Sequence, residues 1–166
     1  MILFTAIELS ETAKCALCDV MENLRSIGVT GNYTRRENLH LTLAYIGESE
    51  DVENIIRVMN NICVQSFSLN LRGVGNFGDI LWVGVEQSDV LINMAEELKR
   101  ELRAVGFEIE RRPFKPHITL VRKASGFCLD DILVPQVEMT VRKITLFHSH
   151  RVDGVLMYTP LYVREF

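Results

Sequence analysis

The chain has 166 residues, of which 48% are hydrophobic and 8% aromatic, enough to bury one sizeable core. A formal net charge of −4 argues against broad, sequence-blind binding along a nucleic-acid backbone, though not against a small basic pocket. Its four cysteines, at 15, 18, 63 and 128, are too sparse for a secreted disulfide scaffold.

The apolar opening carries no basic region and gives way to Glu8 and Ser10-Glu11-Thr12. It therefore reads as a strand, Ile2 to Glu8, rather than a signal peptide. Ser10 is a candidate N-cap for a helix in which Ala13, Leu17, Val20, Met21, Leu24 and Ile27 keep helical spacing until Gly28. Cys15 and Cys18 form a C-x-x-C inside that helix. With no second such pair and no histidine pair nearby, two buried thiols are expected rather than a zinc site.

The polar Arg35-Arg36-Glu37-Asn38 leads into a strand that starts at His40 and ends near Gly47. Ser49-Glu50-Asp51 resembles a helix start, with Val52, Ile55, Ile56 and Met59 as its buried stripe. Phe67, Leu69 and Leu71 alternate with polar residues, as in a half-buried strand. The segment from Gly73 to Asp79 reads as a turn region before a strand over Ile80 to Val85. Asp89 to Val105 reads as a helix with Leu91, Ala95, Leu98, Leu102 and Val105 on one side and Glu96 and Arg100 as an exposed i,i+4 pair.

Beyond Gly106 a strand is expected near Phe107–Glu110, and another over His117–Arg122, which begins just after Pro116. A loop at Ser125-Gly126 and strands over Val137–Ser149 and Val155–Val163 complete the chain. Seven or eight strands and three helices, with strands often too close for helical crossovers, predict one α+β domain of largely antiparallel sheets. No apolar run reaches the ~18 residues of a membrane-spanning helix. The cytoplasm is the default location.

The chemistry-bearing feature is a repeated motif, His40-Leu41-Thr42-Leu43 and His117-Ile118-Thr119-Leu120. In an extended strand, side chains two apart share a face. Each histidine therefore sits beside its threonine, while Leu41, Leu43, Ile118 and Leu120 anchor the opposite face. An imidazole exchanges protons near neutrality. Two can divide the labour, one taking a proton from water while the other gives one to a leaving oxygen. Threonine hydroxyls are neutral donors for phosphoryl oxygens. Arg111, Arg112, Lys115, Arg122 and Lys123 crowd the second motif, and Arg35 and Arg36 precede the first. Strict alternation from His117 puts Arg122 on the far face, so it reaches a shared cleft only if the strand bends or ends there.

The segments Asn38–Gly47 and Phe114–Arg122 resemble the twin H-x-T-x motifs of the 2H phosphoesterase superfamily, and more narrowly its RNA 2′,3′-cyclic phosphodiesterases, also described as 2′-5′ RNA ligases. The likeness extends over the whole chain and includes Phe4-Thr5-Ala6-Ile7-Glu8, Gly73-Val74-Gly75-Asn76-Phe77 and the Leu146-Phe147…Tyr158 hairpin. It implies a bilobal, pseudo-twofold α+β fold around a central cleft, with residues 1–166 as one domain whose N- and C-terminal segments share a lobe. It also implies metal-independent opening of a terminal 2′,3′-cyclic phosphate to a 2′-phosphate, without a cofactor. By motif position, His40 would be the general acid and His117 the general base, with Thr42, Thr119 and Arg122 holding the phosphate. The residues themselves would allow the two histidine roles to be exchanged.

The expected partners are RNA ends or small cyclic nucleotides bearing a 2′,3′-cyclic phosphate, taken up by a monomer without a membrane. Phe4, Phe77 and Phe114 are candidates for stacking on a base, and each is also an ordinary core residue. Trp82 reads as packing. His148 and His150 share a strand face but lack a third metal ligand. Two other functions fit the same residues: 2′-5′ ligation of RNA ends, which is the reverse chemistry, and non-catalytic binding of an RNA end.

Overall fold

The computed structural model describes residues 1–166. Strand β1 (Ile2–Glu8) leads into helix α1 (Glu11–Ser26), whose first turn is closed by the Ser10 hydroxyl accepting from the Ala13 N–H. Gly28, at φ +90°, takes the left-handed position just beyond its end. A short strand β2 (Thr30–Tyr33) and one 3₁₀ turn (Arg36–Asn38) precede β3 (His40–Glu48). Helix α2 (Val52–Asn61), capped by Asp51, is followed by the hairpin β4 (Phe67–Phe77) and β5 (Ile80–Val85). Helix α3 (Asp89–Ala104) is capped by Ser88. After it come β6 (Ile118–Ser125), a second 3₁₀ turn (Leu129–Asp131), β7 (Glu138–Val141), β8 (Lys143–Val152) and β9 (Val155–Glu165).

Every strand pairing is antiparallel, and the strands form two sheets. The first has the order β3-β1-β8-β9, so strands from the two chain ends lie together; the second has the order β2-β6-β5-β4-β7. One histidine strand falls in each sheet, and β3 and β6 approach each other. A main core of 36 buried residues is drawn from both sheets and all three helices, and Phe4, Ala6 and Phe147 form a small separate cluster. Leu41, Leu43, Ile118 and Leu120 belong to the main core. Burying each is worth roughly 1.5–3 kcal/mol, which pins the opposite faces of both histidine strands toward the space between the sheets. No helix is long and apolar enough to cross a membrane.

Several local expectations are corrected. Phe107–Glu110 forms no strand, because its backbone turns back locally (Ile109 N–H to Phe107 O, 3.1 Å) and finds no free sheet edge. The edge beside β6 is filled instead by Thr30–Tyr33, a strand with no apolar alternation to announce it. Gly31 lets that strand pack closely, since a Cβ there would lie 2.6 Å from a Val121 methyl carbon. The span from Gly73 to Phe77 continues β4, and the turn is confined to Gly78-Asp79. Val137–Ser149 is not one strand; Arg142 interrupts it where the chain leaves the second sheet for the first. The strand count is therefore nine.

Cys15 is exposed and Cys18 only partly covered, because the buried stripe of α1 runs through Ala13, Leu17, Val20, Met21 and Leu24. Glu96 does not pair with Arg100, which contacts Glu101 instead at 3.1 Å. Glu96 turns toward the segment before His117.

Candidate active site

His40 opens β3, and its Nδ1 lies 2.7 Å from the Asn38 carbonyl oxygen, two residues earlier. His117 directly precedes β6 and repeats the arrangement, with Nδ1 2.7 Å from the Lys115 carbonyl oxygen. A carbonyl only accepts, so each Nδ1 carries the proton and each Nε2 is the nitrogen free to exchange one. Asn38 is itself buried and tied to β9, its Nδ2 donating to the Leu156 carbonyl at 3.0 Å. The Thr42 hydroxyl lies 2.9 Å from His40 Nε2.

Both histidines and both threonines line one cavity between the sheets. Arg122, Tyr158, Asn38 and Thr34 complete its wall, with no carboxylate among them. The cavity is thus built for an anion. A larger groove between the start of α1 and the C-terminal strand lacks these groups; there Glu8 is bound to Lys143 and Thr145.

Arg122 reaches the cavity because β6 bulges. Leu81 pairs with Val121 and Trp82 with Thr119, so Leu120 has no partner of its own. Leu120 and Val121 both face the core, and the next residue emerges on the histidine side. β3 repeats the device: Thr5 pairs with Ala44 and Ala6 with Thr42, leaving Leu43 extra, with Leu43 and Ala44 both buried. The two motifs are therefore alike in backbone irregularity as well as in residues. Tyr45 stands where Arg122 does in the other half, and it is exposed.

Aromatic rings brace each imidazole. Phe4 lies 5.0 Å from the His40 ring and Tyr158 meets it edge-on at 5.2 Å and 89°. Phe77 meets His117 edge-on at 5.0 Å and 86°, with Trp82 5.9 Å away. Lys115 Nζ lies over both Phe77 and Trp82, 5.5 and 5.2 Å from their centroids. Phe4 is buried against His40, Phe147 and Tyr158. Phe114 packs against the core, whereas Phe77 is 39% exposed at the hairpin tip.

Burial pushes the His40 pKa below the ordinary histidine value; the Asn38 carbonyl opposes this, and the nearby Arg122 and His117 add to it. Burial likewise raises the Tyr158 phenol, against the pull of Arg122. Arg35 and Arg36 are engaged by Glu37 and Glu11. His148 and His150 stack at 4.7 Å, and His150 Nε2 lies 2.6 Å from the Thr159 hydroxyl; neither lines the cavity. Tyr158, Asn38 and Thr34 escape a motif reading. Asn38 and Tyr158 nevertheless lie in segments that carry the family resemblance, whereas Thr34 has no such signal.

The 2′-5′ RNA ligase superfamily model matches residues 14–153. The RNA 2′,3′-cyclic phosphodiesterase of Thermotoga maritima is 30% identical, with 98% of this chain and 94% of that one aligned. The protein of the same name from Escherichia coli K12 is 33% identical over 79% of this chain and 77% of its own. The crystal structure of E. coli LigT complexed with 3′-AMP superposes with a TM-score of 0.83, covering 99% of this chain and 97% of that one at 28% identity. By sequence and by fold alike, the chain belongs to the 2′-5′ RNA ligase superfamily of two-histidine phosphoesterases.

Proposed function

We propose that this protein is an RNA 2′,3′-cyclic phosphodiesterase that opens a terminal cyclic phosphate to a 2′-phosphomonoester. The observation that carries the reading is the matched pair of imidazoles. Each holds its Nδ1 proton on a carbonyl at 2.7 Å, and each lines one carboxylate-free cavity. His117 Nε2 takes a proton from the attacking water as its oxygen bonds to phosphorus. His40 Nε2 delivers a proton to the 3′-oxygen as the P–O3′ bond breaks. Thr42 and Thr119 donate to the non-bridging oxygens, and Arg122 offsets the charge that builds on them. Metal is not required in this scheme.

The burial of His40 fits the acid role. Burial makes the His40 imidazolium a stronger acid, and the bound phosphodiester anion favours the ring's uptake of a proton from solvent before it is delivered to the leaving oxygen. Phe77, exposed beside His117, is the aromatic best placed to meet a base; Phe4 and Phe114 serve the packing. The similarity to proteins named RNA 2′,3′-cyclic phosphodiesterases, and to a LigT structure holding 3′-AMP, supports nucleotide-terminal phosphate as the substrate. Every group invoked comes from one chain, so a monomer suffices.

The test is an oligonucleotide ending in 2′,3′-cyclic phosphate, incubated in excess chelator. A single 2′-phosphate product is expected, and His40→Ala and His117→Ala should each lower kcat by about 10²–10⁴-fold. A 3′-phosphate product, or undiminished turnover by either variant, would overturn the scheme. Ligation would use the same groups with a ribose hydroxyl in place of water; 2′-5′-linked product dominating at modest RNA-end concentration would favour it.

A further inference from the structure

His117 depends on one acceptor, the Lys115 carbonyl, to keep its proton on Nδ1. That carbonyl lies in a stretch, residues 107–117, without regular secondary structure. Residues 110–116 take part in none of the loop or turn backbone hydrogen bonds. Something other than a ladder must therefore hold the acceptor in place.

Helix α3 supplies it. Lys99 Nζ donates to the Arg112 carbonyl at 2.7 Å, and the Glu96 carboxylate accepts the Phe114 backbone N–H. Arg103 adds a bond to the Glu110 carbonyl at 3.2 Å. The lysine is the telling residue. It is 6% exposed, in line with Leu91, Met94, Ala95, Leu98 and Leu102 on the buried side of α3, where an apolar side chain would fit the pattern. Burying an ammonium is costly unless it is hydrogen-bonded and accompanied by opposite charge. Lys99 has both, since Glu96 lies 3.9 Å from its Nζ. Local rules broken inside a helix stripe are expected where function demands it.

We infer that Lys99 and Glu96 are positioning residues for His117: from α3 they pin the 112–114 backbone, and so fix the Lys115 carbonyl that sets the tautomer of the catalytic ring. The other half of the molecule solves the same problem differently, by tying Asn38 to the Leu156 carbonyl of β9. Without the clamp the Lys115 carbonyl drifts, the Nδ1 proton loses its acceptor, and the ring shifts toward the tautomer with its proton on Nε2. That form cannot take a proton from water at Nε2.

The inference rests on His117 acting as the proton acceptor, and its test separates the two. Nitrogen-15 NMR of labelled histidines reads the tautomer directly, beside steady-state kinetics on a cyclic-phosphate-ended oligonucleotide. In the wild type His117 should be protonated at Nδ1 when neutral. Lys99→Met should populate the other tautomer and lower kcat about 10- to 100-fold, with little change in KM. Lys99→Arg, which keeps a cationic donor, should restore most of both. Glu96→Ala should shift the tautomer in the same direction, while Glu96→Gln, whose amide oxygen still accepts, should not. If Lys99→Met does not fold, the two Glu96 variants decide. A folded Lys99→Met or Glu96→Ala protein with the wild-type tautomer and wild-type kcat overturns the clamp. Wild-type protein that holds the Nδ1 tautomer but turns over no cyclic phosphate overturns the proposed activity instead.

Discussion

Thr119 and Arg122 are three residues apart on one strand yet line the same cavity, because Leu120 is an extra residue in the ladder between β5 and β6. Three residues apart is the wrong parity for a regular strand. The bulge absorbs it by turning Leu120 and Val121 both into the core.

On the proposed function, Arg122 acts through its charge rather than through packing. Arg122→Ala should lower kcat/KM for cyclic phosphate by roughly 10–100-fold with little change in melting temperature, since the side chain is exposed. Arg122→Lys should recover only part, because an ammonium lacks the planar two-pronged donor set of guanidinium. Kinetics beside thermal melts check both; a variant that melts early would show the residue to be structural.

The pH profile should report unequal histidines. As the proposed general acid, His40 must be protonated, so it sets the alkaline limb of a bell in kcat/KM, and burial brings that limb down from where an ordinary histidine would put it. Opening the pocket with Tyr158→Ala removes an aromatic neighbour of His40 and should move that limb upward. Ring-proton NMR titration of both histidines would assign the limbs independently. A His40 that titrates at or above the ordinary value contradicts the expectation.

The same shift makes stability depend on pH. The unfolded chain binds a proton at His40 more readily than the folded protein does, so this contribution is present above about pH 6.5 and is lost as pH falls toward the depressed folded value. A His40→Asn variant should lose less stability than the wild type across that window in parallel urea titrations. Identical pH slopes would contradict the burial argument.

Gly75 makes room for the aromatic wall behind His117. A Cβ there would lie 2.4 Å from two ring carbons of Trp82, so the indole lies directly on the glycine. The Trp82 Nε1 has no hydrogen-bond partner, so the ring is held by packing and by the Lys115 ammonium over its face. Gly75→Ala should push the indole out of its seat, costing roughly 1–3 kcal/mol, and should lower kcat as the support beside His117 shifts. Tryptophan fluorescence is a direct readout, since the chain has a single tryptophan; an unchanged spectrum with unchanged stability would refute the close fit.

The features legible in the sequence alone are the local ones. Period-two geometry put His40 with Thr42 and His117 with Thr119, and apolar spacing marked α1, α2 and α3, because each pattern depends on neighbours a few residues away. Thr30–Tyr33 stayed hidden as a strand because its reason to extend is the free edge of β6, far along the chain. The side on which Arg122 emerges, the partners that meet buried Lys99, and the edge of Tyr158 against His40 were likewise decided by the tertiary structure. A bulge, a buried ion and a ring contact each exist through a partner strand or helix, and the residues around them in the chain carry no trace of that partner.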